Sequence, residues 1–134
     1  MPFIRISLQK GRSPEEIRAI ADTIHGALVK SFQVPTKDRF QVVHQHDAHE
    51  FFCDPEYMEM HRTSGQVLIQ VFAGKPRSVV VKQAFYRELT DTLVERCGIA
   101  PDDVFVVIST SAAEDWSFGK GVAQLIEKSV GASR

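Results

Sequence analysis

One internal repeat constrains this chain more than any other feature of it. Displaced by 65 residues, Ile4 falls on Ile69, Arg12 and Ser13 on Arg77 and Ser78, Leu28 on Leu93, Asp38 on Asp103, Phe40 on Phe105 and Val42 on Val107. Matches in that order mark a duplicated unit. The unit is legible in the first half, where Phe3, Arg5 and Ser7 alternate with Ile4, Ile6 and Leu8 at the two-residue period of a strand. "SPEE" then places Ser13 at a helix N-cap, Pro14 at the first helical position and Glu16 where a capping box needs an acid. Ile17, Ile20, Ile24, Leu28 and Phe32 follow at three- and four-residue spacing, one apolar face of a helix. "VPTKD" breaks that helix, and "RFQVVHQ" resumes as a strand. Two strands joined by a helical crossover lie parallel, with a right-handed connection. The second half repeats the order as "VLIQVF", a helix from Ser78 to Cys97 stopped by Gly98, and "DVFVVIS".

Two such units predict an α+β fold, a four-stranded sheet with two helices on one face, in one domain over residues 1–134 with pseudo-repeats at about 2–46 and 67–111. The strands around Ile69 and Phe105 are apolar on both faces, and so short a chain has no further layer to offer. Oligomerisation is therefore expected to cover the open face. Between the halves, "DAHEFFCDPEYMEMHRTSG" shows no clear period and reads as a loop with one short hairpin. After the second half, "DWSFGKGVAQLIEK" reads as a turn and a short C-terminal helix with Val122, Leu125 and Ile126 facing inward.

The net charge of −1, with both signs interspersed, gives no global attraction to nucleic acid or to an anionic membrane, so any anion must be captured locally. No apolar run approaches the ~20 residues of a membrane span, and no basic stretch precedes an apolar segment at the N-terminus. The expected compartment is the cytoplasm. Cys53 and Cys97 are read as reduced thiols without chemistry of their own.

Pro2 stands at the head of the first strand, the one strand position that tolerates a residue without an N–H. A small second residue allows the initiator methionine to be trimmed, which would leave a secondary amine that is both base and nucleophile. Its reference pKa of about 7.7–8.0 lets local fields set either protonation state near neutral pH. The repeat gives Val67 at the equivalent position, so only the first half can carry such an amine. Parallel pairing brings the start of the first strand near the start of its partner, and hence Pro2 near Asp38, where "KDRF" opens the second strand with a carboxylate able to cap or to act as a base. A carboxylate there would favour the protonated amine, and cations would oppose it.

Three further features carry possible chemistry. Lys75 and Arg77 of "KPRS" stand where a strand leads into a helix N-terminus, a place suited to a carboxylate or phosphate. Trp116 and Phe118 of "DWSFG" precede Gly119 and Gly121 and can wall a pocket. His44, His46 and His49 lie beside Asp47 and Glu50, but a histidine-rich strand end is more often polar surface, and no metal is assigned.

Together these segments resemble a known family. The Met-Pro start on a strand, the duplicated unit and "VPTKDRFQ" are similar to the tautomerase superfamily, whose members use an amino-terminal proline. "GRS", "VPTKDRFQVVHQH", "KPRS", "CGIAPDDV" and "DWSFGKG" resemble its malonate semialdehyde decarboxylase branch, covering most of the chain outside roughly residues 47–66. The resemblance implies a homotrimer and no cofactor, with the amino-terminal proline in a pocket containing an aspartate and two arginines. Carried onto this chain, the proline is Pro2, the aspartate Asp38 and the second arginine Arg77. Lys75 replaces the first arginine, keeping the charge but losing the planar fork. The implied substrate is a small carboxylate, a 3-oxo acid losing CO2. In that reading Pro2 and Asp38 are catalytic, Lys75 and Arg77 bind the carboxylate, and Trp116 and Phe118 exclude water. Rival readings are a tautomerase with neutral Pro2 acting on a 2-oxo acid, a hydratase or dehalogenase of unsaturated acids, and a non-catalytic trimeric binding protein.

Overall fold

The computed structural model describes residues 1–131. The first unit comprises β1 (Pro2–Gln9), α1 (Pro14–Ser31) and β2 (Gln41–His46), and the second β3 (Val67–Ala73), α2 (Val79–Cys97) and β4 (Val104–Thr110). α3 (Gln124–Gly131) follows. The strands lie in one sheet in the order β2-β1-β3-β4, parallel within each unit and antiparallel where β1 meets β3. The antiparallel junction pairs Pro2 with Ala73, so the head of the first strand meets the tail of the third.

The first helix starts as its sequence dictates. Ser13 accepts from Glu16 N–H at 3.1 Å, and Ser13 N–H donates to the Glu16 carboxylate at 2.9 Å. The bond from Ser13 N–H holds the Glu16 pKa below its ordinary value, with the Ser13 hydroxyl a smaller cause. α2 is capped by Ser78 alone, whose hydroxyl accepts from Val81 N–H at 3.2 Å, and it ends on Gly98 in the left-handed conformation that favours glycine (φ 65°).

Alternation in β1 and β3 decides the layering. Ile4, Ile6 and Leu8, with Val67, Ile69, Val71 and Ala73, are buried beneath the two helices against Ile20, Ile24 and Leu28 of α1 and Phe85, Leu89 and Leu93 of α2. The opposite face has no covering layer among the described residues: Phe105 is 45% and Val107 44% exposed, while Phe3 and Phe72 touch with ring centroids 6.0 Å apart.

Three local expectations are corrected. Residues 47–66 form no hairpin. They contain two short 3₁₀ turns, Ala48–Glu50 and Tyr57–Glu59, and the segment is tied down by backbone-to-carboxylate bonds, His61 N–H to Asp102 and Thr63 N–H to Asp103. β2 starts at Gln41, so Asp38 and Arg39 lie in the preceding turn, shaped by Asp38 N–H donating to the Pro35 carbonyl. Val122 and Ile126 do not face inward but are 37% and 38% exposed; Val122 precedes α3, and α3 makes its contacts with the 3₁₀ turn Ala113–Asp115 rather than with the sheet core. Leu125 alone of the three lines a cavity.

Candidate active site

Parallel register sets the first pair of groups. Ile4 N–H donates to the Phe40 carbonyl at 2.9 Å, which draws the turn before β2 up to the head of β1. The Met1 ammonium then lies 3.0 Å from Asp38 Oδ2. The carboxylate is mostly buried, with 11% of its side chain exposed, and Oδ2 receives no well-angled hydrogen bond. A buried carboxylate with so little support needs a positive partner. The N-terminal ammonium is that partner. Pro2 is the next residue, so its nitrogen lies within about 7 Å of the same oxygen by covalent reach alone.

The cations arrive from the second unit. Lys75 is exposed and lines a cavity of about 350 Å³ together with Met1, Gln33, Pro35, Asp38 and Gly74. Ala113 and Leu125 complete its wall. Arg77 goes the other way. It is 8% exposed, its Nη1 and Nη2 donate to the carbonyls of Lys75 and Phe32 at 2.9 and 3.1 Å, and its guanidinium carbon lies 4.3 Å from the Phe32 ring centroid. Burial lowers the Arg77 pKa, and the field of Asp38 opposes that shift. Nε retains a free N–H. The two cations named by sequence therefore differ: Lys75 meets the cavity directly, whereas Arg77 supports it from beneath.

Aromatic residues form a stack at the same end of the sheet. Ser111 N–H donates to the Ala73 carbonyl at 2.8 Å, and the Ser111 hydroxyl accepts from Trp116 Nε1 at 2.8 Å. This bond fixes the indole beside Gly74, where an added Cβ would lie 3.3 Å from Trp116 Nε1. Phe118 stacks on Trp116 at 5.8 Å and meets Phe40 at 5.9 Å, linking the turn after β4 to the turn before β2.

Sequence reasoning missed Gln33 and Gly74. Gln33 adopts φ 59°, an unfavourable conformation for a residue with a Cβ and one that recurs at binding sites. Gly74 has a signal in hindsight, since it stands directly before Lys75 at a strand end. The histidine cluster separates: His44 accepts from Arg5 Nε at 3.2 Å, His46 rests against Phe51, and His49 lies with Asp47 and Glu50. Asp47 already pairs with Lys10 at 3.0 Å, and Glu50 accepts from Asp47 N–H.

A sequence profile described as tautomerase enzyme matches residues 38–119, and a second tautomerase enzyme profile matches residues 2–60. "Probable tautomerase YusQ" of Bacillus subtilis is 37% identical over 127 residues, 95% of this chain and 100% of its own. The chain belongs to the tautomerase family. A second Bacillus subtilis relative of this tautomerase-family enzyme, "Probable tautomerase YrdN", is 36% identical over 94% of the chain and 97% of its own. Among solved structures, a malonate semialdehyde decarboxylase matches with TM-score 0.89 and 38% identity, covering 95% of this chain and 98% of that one. An FG41 malonate semialdehyde decarboxylase inhibited by 3-bromopropiolate matches with TM-score 0.88 and 38% identity, covering 95% and 96%. No helix among the described residues is long and apolar enough to cross a membrane.

Proposed function

We propose that this enzyme decarboxylates a short 3-oxo acid, malonate semialdehyde being the type substrate, with Pro2 as its amino-terminal residue. The observation that carries the reading is the Met1 ammonium lying 3.0 Å from a buried, otherwise weakly supported Asp38, in a cavity that also contains Lys75. Removal of Met1 moves the terminal amine onto Pro2 and vacates part of that cavity for substrate. The likeness to malonate semialdehyde decarboxylase supports the choice of substrate.

In the reaction the bond between the carboxylate carbon and C2 breaks, its electron pair passes into the enolate, and CO2 leaves. A proton added at C2 gives acetaldehyde. Cationic Pro2, held by Asp38, stabilises the developing oxyanion and relays that proton from water. Lys75 aims the departing carboxylate, and Arg77 sets the local field and fixes the backbone that presents Lys75. Gripping the carboxylate tightly would stabilise the ground state and slow its loss, so one exposed lysine suits this step. Trp116 and Phe118 exclude water. The open sheet face fits a homotrimer, since an uncovered apolar face of this kind calls for a partner.

The tautomerase names of the relatives favour a second reading, in which neutral Pro2 shuttles a proton between carbon and oxygen of a 2-oxo acid. Assays of CO2 release from malonate semialdehyde and of phenylenolpyruvate ketonisation, each with wild type and Pro2→Ala, separate the two. Decarboxylation predicts CO2 release lost by on the order of 10²-fold or more in Pro2→Ala. Efficient ketonisation without CO2 release above the Pro2→Ala background would promote the tautomerase. An intact mass retaining Met1 in a fully active preparation would remove Pro2 from the mechanism.

A further inference from the structure

The backbone N–H of Gly74 donates to the Met1 carbonyl at 2.9 Å, extending the antiparallel ladder one step beyond the Pro2–Ala73 pair. That carbonyl carbon is bonded to the Pro2 nitrogen, so its oxygen stands about 2.2 Å from the nitrogen by covalent geometry. Met1 thus marks a point that both the Gly74 N–H and the Pro2 nitrogen can reach. Once Met1 is gone, the same point can accept an unbonded oxygen drawn back to ordinary hydrogen-bonding distance from both groups. Removal of Met1 takes this acceptor from the Gly74 N–H and leaves it facing the opened cavity. An incoming oxygen therefore replaces a bond that removal of Met1 takes away. With Met1 gone, a Cβ on Gly74 would still lie 3.3 Å from Trp116 Nε1, a tight contact that a glycine avoids.

We propose that the Gly74 N–H and the Pro2 amine together bind the reacting carbonyl oxygen, making Gly74 the second donor to the enolate oxygen formed as CO2 departs. This rests on the reading that the mature chain begins at Pro2. As the carbon–carbon bond breaks, its pair forms the enolate double bond and the carbonyl π pair moves onto oxygen, between these two donors. The Pro2 ammonium then gives a proton to carbon and regains one from water. Lys75 directly follows Gly74 and lines the same cavity, so carbonyl oxygen and carboxylate are received by adjacent residues. The pocket is thereby fitted to short acids with an oxygen β to the carboxylate, and propanoate lacks the atom it reads.

The test uses ¹⁵N-labelled full-length protein with Met1 removed and two unreactive probes: malonamate, which carries an amide oxygen at the β position, and propanoate, which does not. Malonamate is expected to move the Gly74 amide proton downfield and to slow its exchange about tenfold or more, the scale of a charge-assisted hydrogen bond. Propanoate should perturb signals at Lys75 while leaving the Gly74 amide unmoved. Protein retaining Met1 should show Gly74 protected without any probe. Failure of malonamate to bind, binding that leaves the Gly74 amide unchanged, or equal protection of Gly74 in the free mature protein would each overturn the proposal. A Gly74 response without CO2 release from malonate semialdehyde would leave the donor standing and overturn the decarboxylase. CO2 release with a silent Gly74 would do the reverse.

Discussion

The two ends of the sheet carry matching residues with different fates. At the head of β3, Asp103 is 3% exposed and accepts from Thr63 N–H at 2.8 Å and from Thr63 Oγ1 at 2.6 Å, while Arg12 donates to the Gly65 carbonyl at 2.7 Å. At the head of β1, the repeat supplies Asp38 and Arg77, and among the described residues Asp38 is ion-paired with the Met1 ammonium while Arg77 acts on it through its field. Where backbone runs on ahead of the strand, it fills the space and satisfies the carboxylate. At the head of β1 the same architecture leaves a cavity beside Asp38, lined also by Gly74 and Lys75. The two ends of a nearly symmetric framework thus differ in how their equivalent aspartates are satisfied, by a neighbouring loop at Asp103 and by an ammonium at Asp38.

The largest expected contrast is between the two aspartates. Asp38→Asn should reduce kcat/KM for decarboxylation by on the order of 10²-fold or more, with little change in Tm. Asp103→Asn should leave kcat per folded molecule unchanged and cost about 2 kcal/mol of stability, the scale of hydrogen bonds to a buried charge. Chemical denaturation alongside steady-state kinetics reads both. Equal activity losses in the two variants would mean that the ends are not functionally distinct.

The two arginines sharpen the same contrast on a smaller scale. Arg77→Ala should raise the activation barrier by about 2–3 kcal/mol and also lower Tm, since the Phe32 and Lys75 carbonyls lose their donor. Arg12→Ala should lower stability by about 1 kcal/mol without a kinetic effect. Lys75→Arg should preserve or improve kcat/KM by restoring a planar fork. Normal kinetics in folded Arg77→Ala would mean that Lys75 needs no support from the Arg77 guanidinium.

Helix caps give the smallest difference. Ser13→Ala and Ser78→Ala should each cost about 1 kcal/mol, but only the first helix carries an acid in its cap. Glu16 has a folded pKa below its ordinary value of 4.5, so its contribution is complete above that pH and disappears as pH falls through the lower folded value. Wild type should lose this increment on acidification, and Glu16→Gln should show a flatter stability profile over the same range. Identical profiles would mean that the Ser13–Glu16 pair adds nothing in solution.

The sequence by itself determined the elements and their pairing within each unit. Alternation in Phe3–Leu8, the apolar spacing from Ile17 to Phe32, the Ser13 and Ser78 caps and the Gly98 stop are local patterns, and local sterics and hydrogen bonding read them directly. It also distinguished Pro2 from Val67 and brought Asp38 to the proline end, since parallel pairing within a unit follows from the short crossover. Tertiary structure alone decided what the second unit contributes. Antiparallel docking of β3 on β1 carries Gly74 to Met1, places Lys75 on the cavity and turns Arg77 toward the Phe32 carbonyl. Those partners are separated by tens of residues, and no periodicity records them. A strand's sequence specifies which face is apolar, whereas the contacts at its ends depend on which neighbour it docks against and in what direction.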